Sequence, residues 1–371
     1  MTIAINRRAL LGAATVGTAL AVGGARAFAA EAEKSVFGPA PGVALLSRNE
    51  NPYGPAPSAV KAMADSASLG CYYANGGADR LTAMIAERFG VGADQVVVGS
   101  GSTEVLNATI MAYMNKGAVL APELFWDTTV RFGVRKGAKL KSVPLAADMS
   151  IDLDALAASY GPDVGMIHLC NPNNPTGMVL DGDKLRAFVR KLSPQTIVIV
   201  DEAYNELTDR PDYTSVAGLV KECPNLIVFR TFSKIYGMAG LRLGYAITSP
   251  EHATVIKGYL MNGGLNEAGL AAAIASYNDT AFLQFSKQKI VEARGIITDA
   301  VKKAGLAALP SQTNFVFVKV ADANAVQKAM AAQKIMIRGA YGKWTEWSRV
   351  STGKIEDVKR YAMALPQAVS A

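Results

Sequence analysis

Short apolar runs alternate with amphipathic stretches along most of the chain. Seven runs of three to five residues between residues 95 and 247 predict strands: Gln95–Val98, Ala118–Leu120, Leu140–Val143, Gly165–Leu169, Ile197–Val200, Leu226–Arg230 and Leu243–Ile247. Helical patterns lie between them, over Thr103–Met114, Asp127–Lys136, Asp152–Ser159 and Asp183–Leu192. Strands that are apolar on both faces and alternate with helices predict a mostly parallel central sheet flanked by helices, an α/β fold.

The pattern differs on either side of this region. Pro57–Ser68 and Ala78–Phe89 read as helices before it, and a long helix is predicted near Phe282–Ala304 after it. The end of the chain reads β-α-β-β-α, over Phe315–Val320, Asp322–Ala332, Ile335–Ile337, Trp347–Ser351 and Lys354–Ala364. We therefore predict an N-terminal arm (31–56), a large domain (57–265), and linking helices with a smaller α+β domain (266–371).

The first thirty residues have the layout of a targeting segment. Arg7 and Arg8 precede an uncharged run, Ala9–Ala25, which is rich in small and apolar residues, and Ala27-Phe28-Ala29 gives an A-x-A cleavage pattern. The paired arginines resemble a twin-arginine signal, which predicts a periplasmic or otherwise exported protein. The alternative is an uncleaved segment that tethers the protein to the membrane. No later apolar run reaches the length of a membrane span.

Composition narrows the function classes. Half of the 371 residues are hydrophobic and 19% are charged, as in a globular protein. The formal charge of +7 is mild and gives no reason to expect nucleic acid as a partner. Three cysteines without a CxxC pair argue against a zinc knuckle or a disulfide framework, and two histidines argue against a histidine-rich metal site. We predict no metal.

The strongest chemical signal is the stretch from Thr231 to Gly244. It places Lys234 among small and apolar residues, where desolvation lowers the pKa of an amine and makes it a nucleophile that forms Schiff bases with carbonyls. Ser233 and Arg242 stand nearby and suit an anionic phosphate. Together they predict pyridoxal 5′-phosphate on Lys234; the alternative is a surface Ser-Lys pair with a structural arginine.

Other candidates follow the ends of predicted strands, the edge at which open α/β sheets bind ligands. Asp201 needs a cationic partner, which a pyridinium nitrogen would provide, or else it caps a turn. Asn174 stands in a rigid Asn171–Gly177 turn, and Ser102 and Thr103 stand at a helix start that could bind phosphate. Trp126 could stack on a cofactor ring or belong to the core. Arg349 could hold a carboxylate or form a surface ion pair.

Five motifs in order resemble the fold-type I PLP-dependent aminotransferases of class I/II, and most of all the histidinol-phosphate aminotransferase branch. They are NENPYG (49–54), NPNNPTG (171–177), DEAY (201–204), TFSKIYGMAGLRLGY (231–245) and SRVSTG (348–353). The resemblance spans nearly all of residues 44–365. It implies a large PLP-binding domain, a small C-terminal domain and a homodimer.

The resemblance also implies roles for individual residues. Lys234 would carry the cofactor and shuttle a proton, Asp201 would pair with the ring nitrogen, and Asn174 and Tyr204 would hold the phenolic oxygen. Phosphate contacts are implied for Ser102, Thr103, Ser233, Arg242 and, from the partner subunit, Tyr73. Substrate contacts are expected from Arg349, Arg338, Tyr53 and Asn51, with Trp344 near the side-chain pocket. Counting back from Gly137 puts Trp126 at the ring-stacking position, whereas counting forward from Pro122 selects Leu124.

We therefore predict a transaminase that moves an amino group between an amino acid, or an amine like histidinol phosphate, and a 2-oxo acid. Another PLP reaction, such as decarboxylation or C–S or β-elimination, is the main alternative, and a non-catalytic binding protein is a more distant one. Because histidine synthesis is cytoplasmic and this chain carries an export-type signal, we expect a donor other than histidinol phosphate.

Overall fold

The computed structural model describes residues 37–370, so the predicted signal peptide and the first residues of the predicted arm lie outside the described part. The described strands are β1 (Ala44–Leu45), β2 (Val96–Gly99), β3 (Ala118–Pro122), β4 (Leu140–Val143), β5 (Val164–Cys170), β6 (Ile197–Asp201), β7 (Leu226–Thr231), β8 (Gly244–Ile247), β9 (Phe315–Lys319), β10 (Ile335–Met336) and β11 (Trp347–Ser351).

Twelve α-helices accompany these strands in residues 37–370. They are α1 (Pro57–Ser66), α2 (Asn75–Phe89), α3 (Ser102–Tyr113), α4 (Thr128–Val134), α5 (Leu153–Ser159), α6 (Gly182–Lys191), α7 (Pro211–Thr214), α8 (Pro250–Lys257), α9 (Glu267–Ser276), α10 (Thr280–Lys303), α11 (Ala323–Ala332) and α12 (Ile355–Ser370). Within this part of the chain, no helix is both long and apolar enough to cross a membrane.

Seven strands form the central sheet in the order β2-β8-β7-β6-β5-β3-β4. All of its neighbouring pairs are parallel except those made by β8, which runs antiparallel to both β7 and β2. The predicted mostly parallel α/β sheet is therefore confirmed. An apolar run reads the same in either direction, so the sequence pattern could not reveal the reversal of β8.

Alternate residues of the central strands enter two different cores, as the two-residue period of a strand requires. On β6, Val198 and Val200 face one core and Ile197 and Ile199 face the other. The first core includes side chains from α2, α6 and α9, and the second includes side chains from α3, α4 and α8. The sheet is thus covered by helices on both faces, which leaves its strand ends as the open edge.

The C-terminal part builds a second arrangement. β9 and β11 pair antiparallel, β1 pairs parallel with β10, and α10, α11 and α12 pack against them around a separate core. The predicted β-α-β-β-α order is confirmed. One end was wrong: α12 continues to Ser370 through Pro366, because Leu365 and Ala368 keep its apolar face buried. The chain from Gly42 onward forms one unit, and the domain boundary at residue 265 stays a prediction.

Candidate active site

Loops that follow β2, β3, β5, β6 and β7 meet at one edge of the central sheet, around a cavity of about 300 Å³. These strands are mutually parallel, so their carboxyl ends lie together, where α/β sheets bind ligands. The cavity wall contains ten of the predicted site residues: Ser102, Thr103, Trp126, Asn174, Asp201, Tyr204, Ser233, Lys234, Arg242 and Arg349. The fold therefore assembles the constellation that the sequence suggested.

Lys234 lies in the loop after β7, half-buried in the cavity wall. Its Nζ donates a hydrogen bond to the main-chain oxygen of Asn49 at 3.1 Å and lies 5.4 Å from the centre of the Tyr204 ring. Burial, followed by the positive charge of Arg349, lowers the pKa of the Lys234 amine to about 8. A neutral, nucleophilic amine is therefore accessible close to neutral pH.

Asp201 is the last residue of β6 and is only 4% exposed. Its Oδ1 accepts a hydrogen bond from the Ala203 N–H at 3.1 Å. Burial raises the pKa of the Asp201 carboxyl to about 6, and that hydrogen bond and the charge of Lys234 counteract the rise. A buried carboxylate held in this way favours a cationic ring nitrogen beside it.

Tyr204, Asn174 and Arg349 form a hydrogen-bonded chain. Arg349 Nη1 donates to Asn174 Oδ1 at 2.6 Å, and Asn174 Nδ2 donates to the Tyr204 hydroxyl oxygen at 3.3 Å. Because a guanidinium can only donate, it fixes which end of the Asn174 amide faces Tyr204. Burial raises the pKa of Tyr204 above its ordinary value, so its hydroxyl keeps its proton.

Arg349 is suited to receive an anion. It is 7% exposed, its Nε has no hydrogen-bond partner in the described residues, and its Nη2 donates to the Ser47 carbonyl at 2.8 Å. Burial lowers the pKa of the Arg349 guanidinium. None of the ion pairs among residues 37–370 involves Arg349, so a carboxylate ligand would satisfy a buried charge.

The start of α3 forms a small cradle. Gly101 has φ +79°, and a Cβ there would overlap the Arg242 guanidinium; a Cβ on Gly244 would overlap the Ser102 amide nitrogen. Two glycines thus let the helix start, Arg242 and the Ser233 hydroxyl surround one space. Helix N–H groups, a hydroxyl and a guanidinium are the donors that a phosphate requires, so these residues fit the phosphate of PLP.

Trp126 lies between this cavity and a second one of about 460 Å³ and lines both. Leu124 lines only the second cavity. The stacking contact of Trp126 with the cofactor stays a prediction. Arg338 and Trp344 line the second cavity too, and their place near the substrate side chain stays a prediction.

Three predicted residues lie outside both cavities. The Asn51 amide donates to the Ile235 carbonyl at 2.9 Å and to Ser286 Oγ at 2.7 Å, so it holds the segment that follows Lys234. The Tyr53 hydroxyl accepts from the Ile355 N–H at 3.0 Å. Tyr73 is 86% exposed and lines a third cavity beside Met261. Their contacts with substrate or cofactor stay predictions.

Sequence reasoning missed Asn49, Arg48 and Tyr341. Asn49 contacts Lys234 and Tyr204, Arg48 lines both cavities, and Tyr341 lies beside Arg338 and Arg349. Asn49 stands in the NENPYG motif, so a signal existed but indicated no role. Arg48 and Tyr341 lie outside the matched motifs and carried no signal.

A nucleophilic lysine, a buried carboxylate at a strand end and a phosphate cradle on a helix-covered sheet define a PLP-dependent enzyme of fold type I. The chain matches the family model "Aminotransferase class I and II" over residues 41–365, and it belongs to that family. The predicted family resemblance is confirmed.

Several relatives of this chain are named aminotransferases. The chain is 36% identical to histidinol-phosphate aminotransferase 1 of Dechloromonas aromatica, over 88% of this chain and 90% of that one, and 36% identical to histidinol-phosphate aminotransferase 2 of Ralstonia nicotianae, over 88% and 89%. The crystal structure of histidinol-phosphate aminotransferase from Sinorhizobium meliloti in complex with pyridoxal-5′-phosphate matches with a TM-score of 0.83 and 31% identity, over 88% of this chain and 91% of that one. This protein is therefore a transaminase that uses PLP.

The chemistry divides between cofactor and protein. When bound, PLP supplies an aldehyde that condenses with amines and a ring that withdraws electrons from the attached carbon. Lys234 Nζ would take the α-proton of the substrate and deliver it to the carbon on the other side of the amino nitrogen. Asp201 would keep the ring nitrogen protonated, and Arg349 would hold the substrate carboxylate with its paired N–H groups. The remaining residues hold these groups in place.

Proposed function

We propose that the amino donor of this transaminase carries a second anionic group, a phosphate or a carboxylate. The observation behind the proposal is the wall of the 460 Å³ cavity, which contains Arg48, Arg338 and Arg349. Its two carboxylates already have cationic neighbours: Glu123 accepts from Lys343 at 2.6 Å and Asp127 pairs with Arg131. Three arginines therefore face this space without an acidic partner among the described residues.

Arg338 and Arg349 lie side by side. Each donates its main-chain N–H to the carbonyl of the other, at 2.9 and 3.1 Å. Their guanidinium carbons lie 5.3 and 5.7 Å from the centre of the Tyr341 ring, which places the phenol close to both. If Arg349 takes the α-carboxylate, Arg338 and Arg48 remain for a second anion. This arrangement supports a doubly anionic amine over a neutral or basic one.

The two sources of that anion are separable by experiment. Purified protein loaded with PLP is mixed with matched donors that share an α-carboxylate: O-phosphoserine against serine, and glutamate against glutamine. We expect a kcat/KM up to about fivefold higher for the anionic member of one pair, because Arg338 and Arg48 are exposed and an exposed ion pair contributes about 0.2–1 kcal/mol. Equal rates for charged and neutral partners in both pairs would contradict the proposal, and so would carbon dioxide or ammonia in place of the 2-oxo product.

Matched variants locate the contact. Arg338→Met and Arg48→Met remove the charge and keep much of the apolar length, so each is expected to lower the preference for the anionic donor. Lys319→Met, an exposed cation on β9, is the control. If neither arginine variant lowers that preference, the second anion is bound elsewhere.

We also propose that the enzyme works as a homodimer and that it is exported. The dimer proposal rests on Tyr73, 86% exposed, and Met261, 77% exposed, which share a cavity of about 350 Å³ distinct from that of Lys234. Two large exposed apolar side chains beside one cavity fit a contact with a second copy. The export proposal rests on Arg7, Arg8 and the apolar run after them. Export would separate this enzyme from histidine synthesis, which supports a donor other than histidinol phosphate.

A further inference from the structure

Asn49 connects several parts of the active site, although the sequence indicated no role for it. It follows β1 in the chain and is 2% exposed. Its φ is +55°, in the left-handed region, which asparagine tolerates better than most residues. It contacts Lys234, Tyr204 and Ser351, residues from three separate parts of the chain. No role in the reaction described above uses its side chain.

The hydrogen bonds of Asn49 have a definite order. Its main-chain N–H donates to Ser351 Oγ at 2.9 Å, and Ser351 Oγ donates in turn to Asn49 Oδ1 at 2.7 Å. Because the hydroxyl accepts from the backbone, its own proton is available for the side-chain oxygen of Asn49. This reciprocal pair places Nδ2 on the opposite side, where it donates to the Tyr204 hydroxyl oxygen at 3.1 Å.

The Tyr204 oxygen therefore accepts two amide N–H groups, one from Asn49 and one from Asn174. A phenolic hydroxyl has two lone pairs and one proton. With both lone pairs engaged, the Tyr204 hydroxyl can make a further hydrogen bond only by donating its proton. Tyr204 also lines the Lys234 cavity. A proton pointed into that cavity can be donated to the cofactor's phenolic oxygen.

The two side chains that orient Asn174 and Asn49 both come from β11. Ser351 and Arg349 are two residues apart on β11, so they share one face of it. Arg349 orients Asn174, and Ser351 orients Asn49. The main-chain oxygen of Asn49 accepts from Lys234 Nζ at 3.1 Å and from Asn314 Nδ2 at 2.9 Å, which fixes the same turn to the reacting amine.

We propose that Asn49 is a positioning residue: held by Ser351, its amide directs the Tyr204 hydroxyl proton into the cavity, toward the phenolic oxygen of the bound cofactor. The proposal rests on the assignment of this chain as a PLP enzyme. Donation by Tyr204 stabilises negative charge on that oxygen and so lowers the proton affinity of the lysine–cofactor nitrogen next to it. Without Asn49, that proton affinity rises.

The test is a spectroscopic pH titration of the PLP-loaded protein, which reports the pKa of the lysine–cofactor chromophore without turnover. Asn49→Gly is the informative variant, because glycine keeps the left-handed turn and removes only the side chain. We expect Asn49→Gly and Ser351→Ala to raise the proton affinity by up to about fivefold, the effect of one hydrogen bond. Tyr204→Phe should raise it further, and Asn49→Gly should add nothing in the Tyr204→Phe background.

A matched control separates this role from general destabilisation. Asn225 is also buried and donates to two carbonyls, of Ser193 and Thr196, far along the sheet from the cavity. Asn225→Gly is expected to lower thermal stability and to leave the chromophore pKa at the wild-type value. Two results would overturn the proposal: an Asn49→Gly pKa equal to wild type while Tyr204→Phe shifts, or a full Asn49→Gly shift that persists without the Tyr204 hydroxyl. Absence of a chromophore in the wild-type protein would instead refute the PLP assignment itself.

Discussion

At the scale of single residues, the site depends on one amine that holds its proton weakly. Lys234 has a pKa of about 8, first because it is desolvated and second because Arg349 is close. At pH 7 about one such amine in ten is neutral, far more than for a lysine with an ordinary pKa. Arg349 therefore has two expected effects, since it is placed to bind an anion and it also lowers the pKa of Lys234.

This dual effect predicts the result of removing the positive charge of Arg349. Replacing Arg349 with Met removes a positive charge, so the Lys234 pKa should rise and cofactor-free protein should capture PLP more slowly at pH 7. The measurement is the rate of capture against pH, with a wild-type midpoint near 8. Arg349→Lys keeps the charge and should keep that midpoint. A wild-type midpoint near the ordinary lysine value of 10.5, or equal shifts in both variants, would contradict the electrostatic explanation.

The raised pKa of Asp201 predicts that replacing this carboxyl with an amide stabilises the fold and abolishes function. Its folded-state pKa of about 6 lies above the ordinary value of 3.8, so the folded protein binds the proton more tightly and ionised Asp201 destabilises the cofactor-free fold. Asp201→Asn should therefore raise the free energy of unfolding at pH 7 by on the order of 1–3 kcal/mol. The gain should shrink as the pH falls from about 6 to about 4, the interval between the folded and ordinary pKa values.

Denaturant titrations of the cofactor-free proteins at pH 7 and pH 4 measure this difference. The side-chain amide of the Asp201→Asn variant could still accept from the Ala203 N–H through its oxygen, so the substitution changes charge more than shape. The same variant should lose transaminase activity, because a neutral amide does not keep a ring nitrogen protonated. Destabilisation at pH 7 would show that the buried charge is compensated in the folded protein.

Residues whose role follows from their neighbours in the sequence were predictable, and residues whose role depends on distant contacts were not. Lys234, Asp201 and Asn174 stand in motifs whose chemistry is evident from adjacent residues. Asn49 acts through Tyr204, 155 positions away, and Ser351, 302 positions away. Nothing near it in the chain indicates those contacts, so only the fold reveals them.

At the scale of elements, the junction between β2 and α3 forms the cradle that fits the cofactor's phosphate. The sequence predicted a strand, a small-residue turn and a helix, and that order is confirmed. It did not reveal that β8 lies next to β2, which brings Gly244 against the first amide of α3. The cradle is thus a tertiary feature assembled from two distant segments.

Adding a single carbon at Gly244 should disrupt this cradle. A Cβ there overlaps the Ser102 amide nitrogen, so Gly244→Ala must displace the helix start, at a cost of about 1–3 kcal/mol for an overpacked position. We expect at least a tenfold weaker affinity for PLP, measured by equilibrium binding. Gly240→Ala, in the same region but with open space around its Cβ, is the control and should bind as wild type. Equal affinities for all three proteins would contradict this account of the cradle.

At the scale of the whole molecule, two proposals concern what the chain does as a unit. The exposed side chains of Tyr73 and Met261 predict a dimer, so Met261→Glu should shift the mass seen in analytical ultracentrifugation from two chains toward one. If Tyr73 serves the partner's phosphate cradle, the same variant should bind PLP less tightly. A wild-type protein that sediments as a single chain and is fully active would refute the dimer.

The N-terminal segment predicts the cellular location of the protein. Replacing Arg7 and Arg8 with lysines keeps the charge and removes the arginine pair, so the protein should accumulate inside the cell in place of the periplasm. Fractionation with immunodetection measures this, and a variant with Arg26→Lys alone is the charge-matched control. Unchanged export of the Arg7/Arg8 double variant would contradict a twin-arginine route.

The central claim is that this chain transfers amino groups through Lys234. The most direct test is a single-turnover experiment with PLP-loaded protein and an anionic donor labelled with nitrogen-15, followed by a 2-oxo acid acceptor. We predict that one label per active site passes to the acceptor, and that Lys234→Ala transfers none. Label released as ammonia, carbon dioxide released from the donor, or transfer by Lys234→Ala at the wild-type rate would contradict the account.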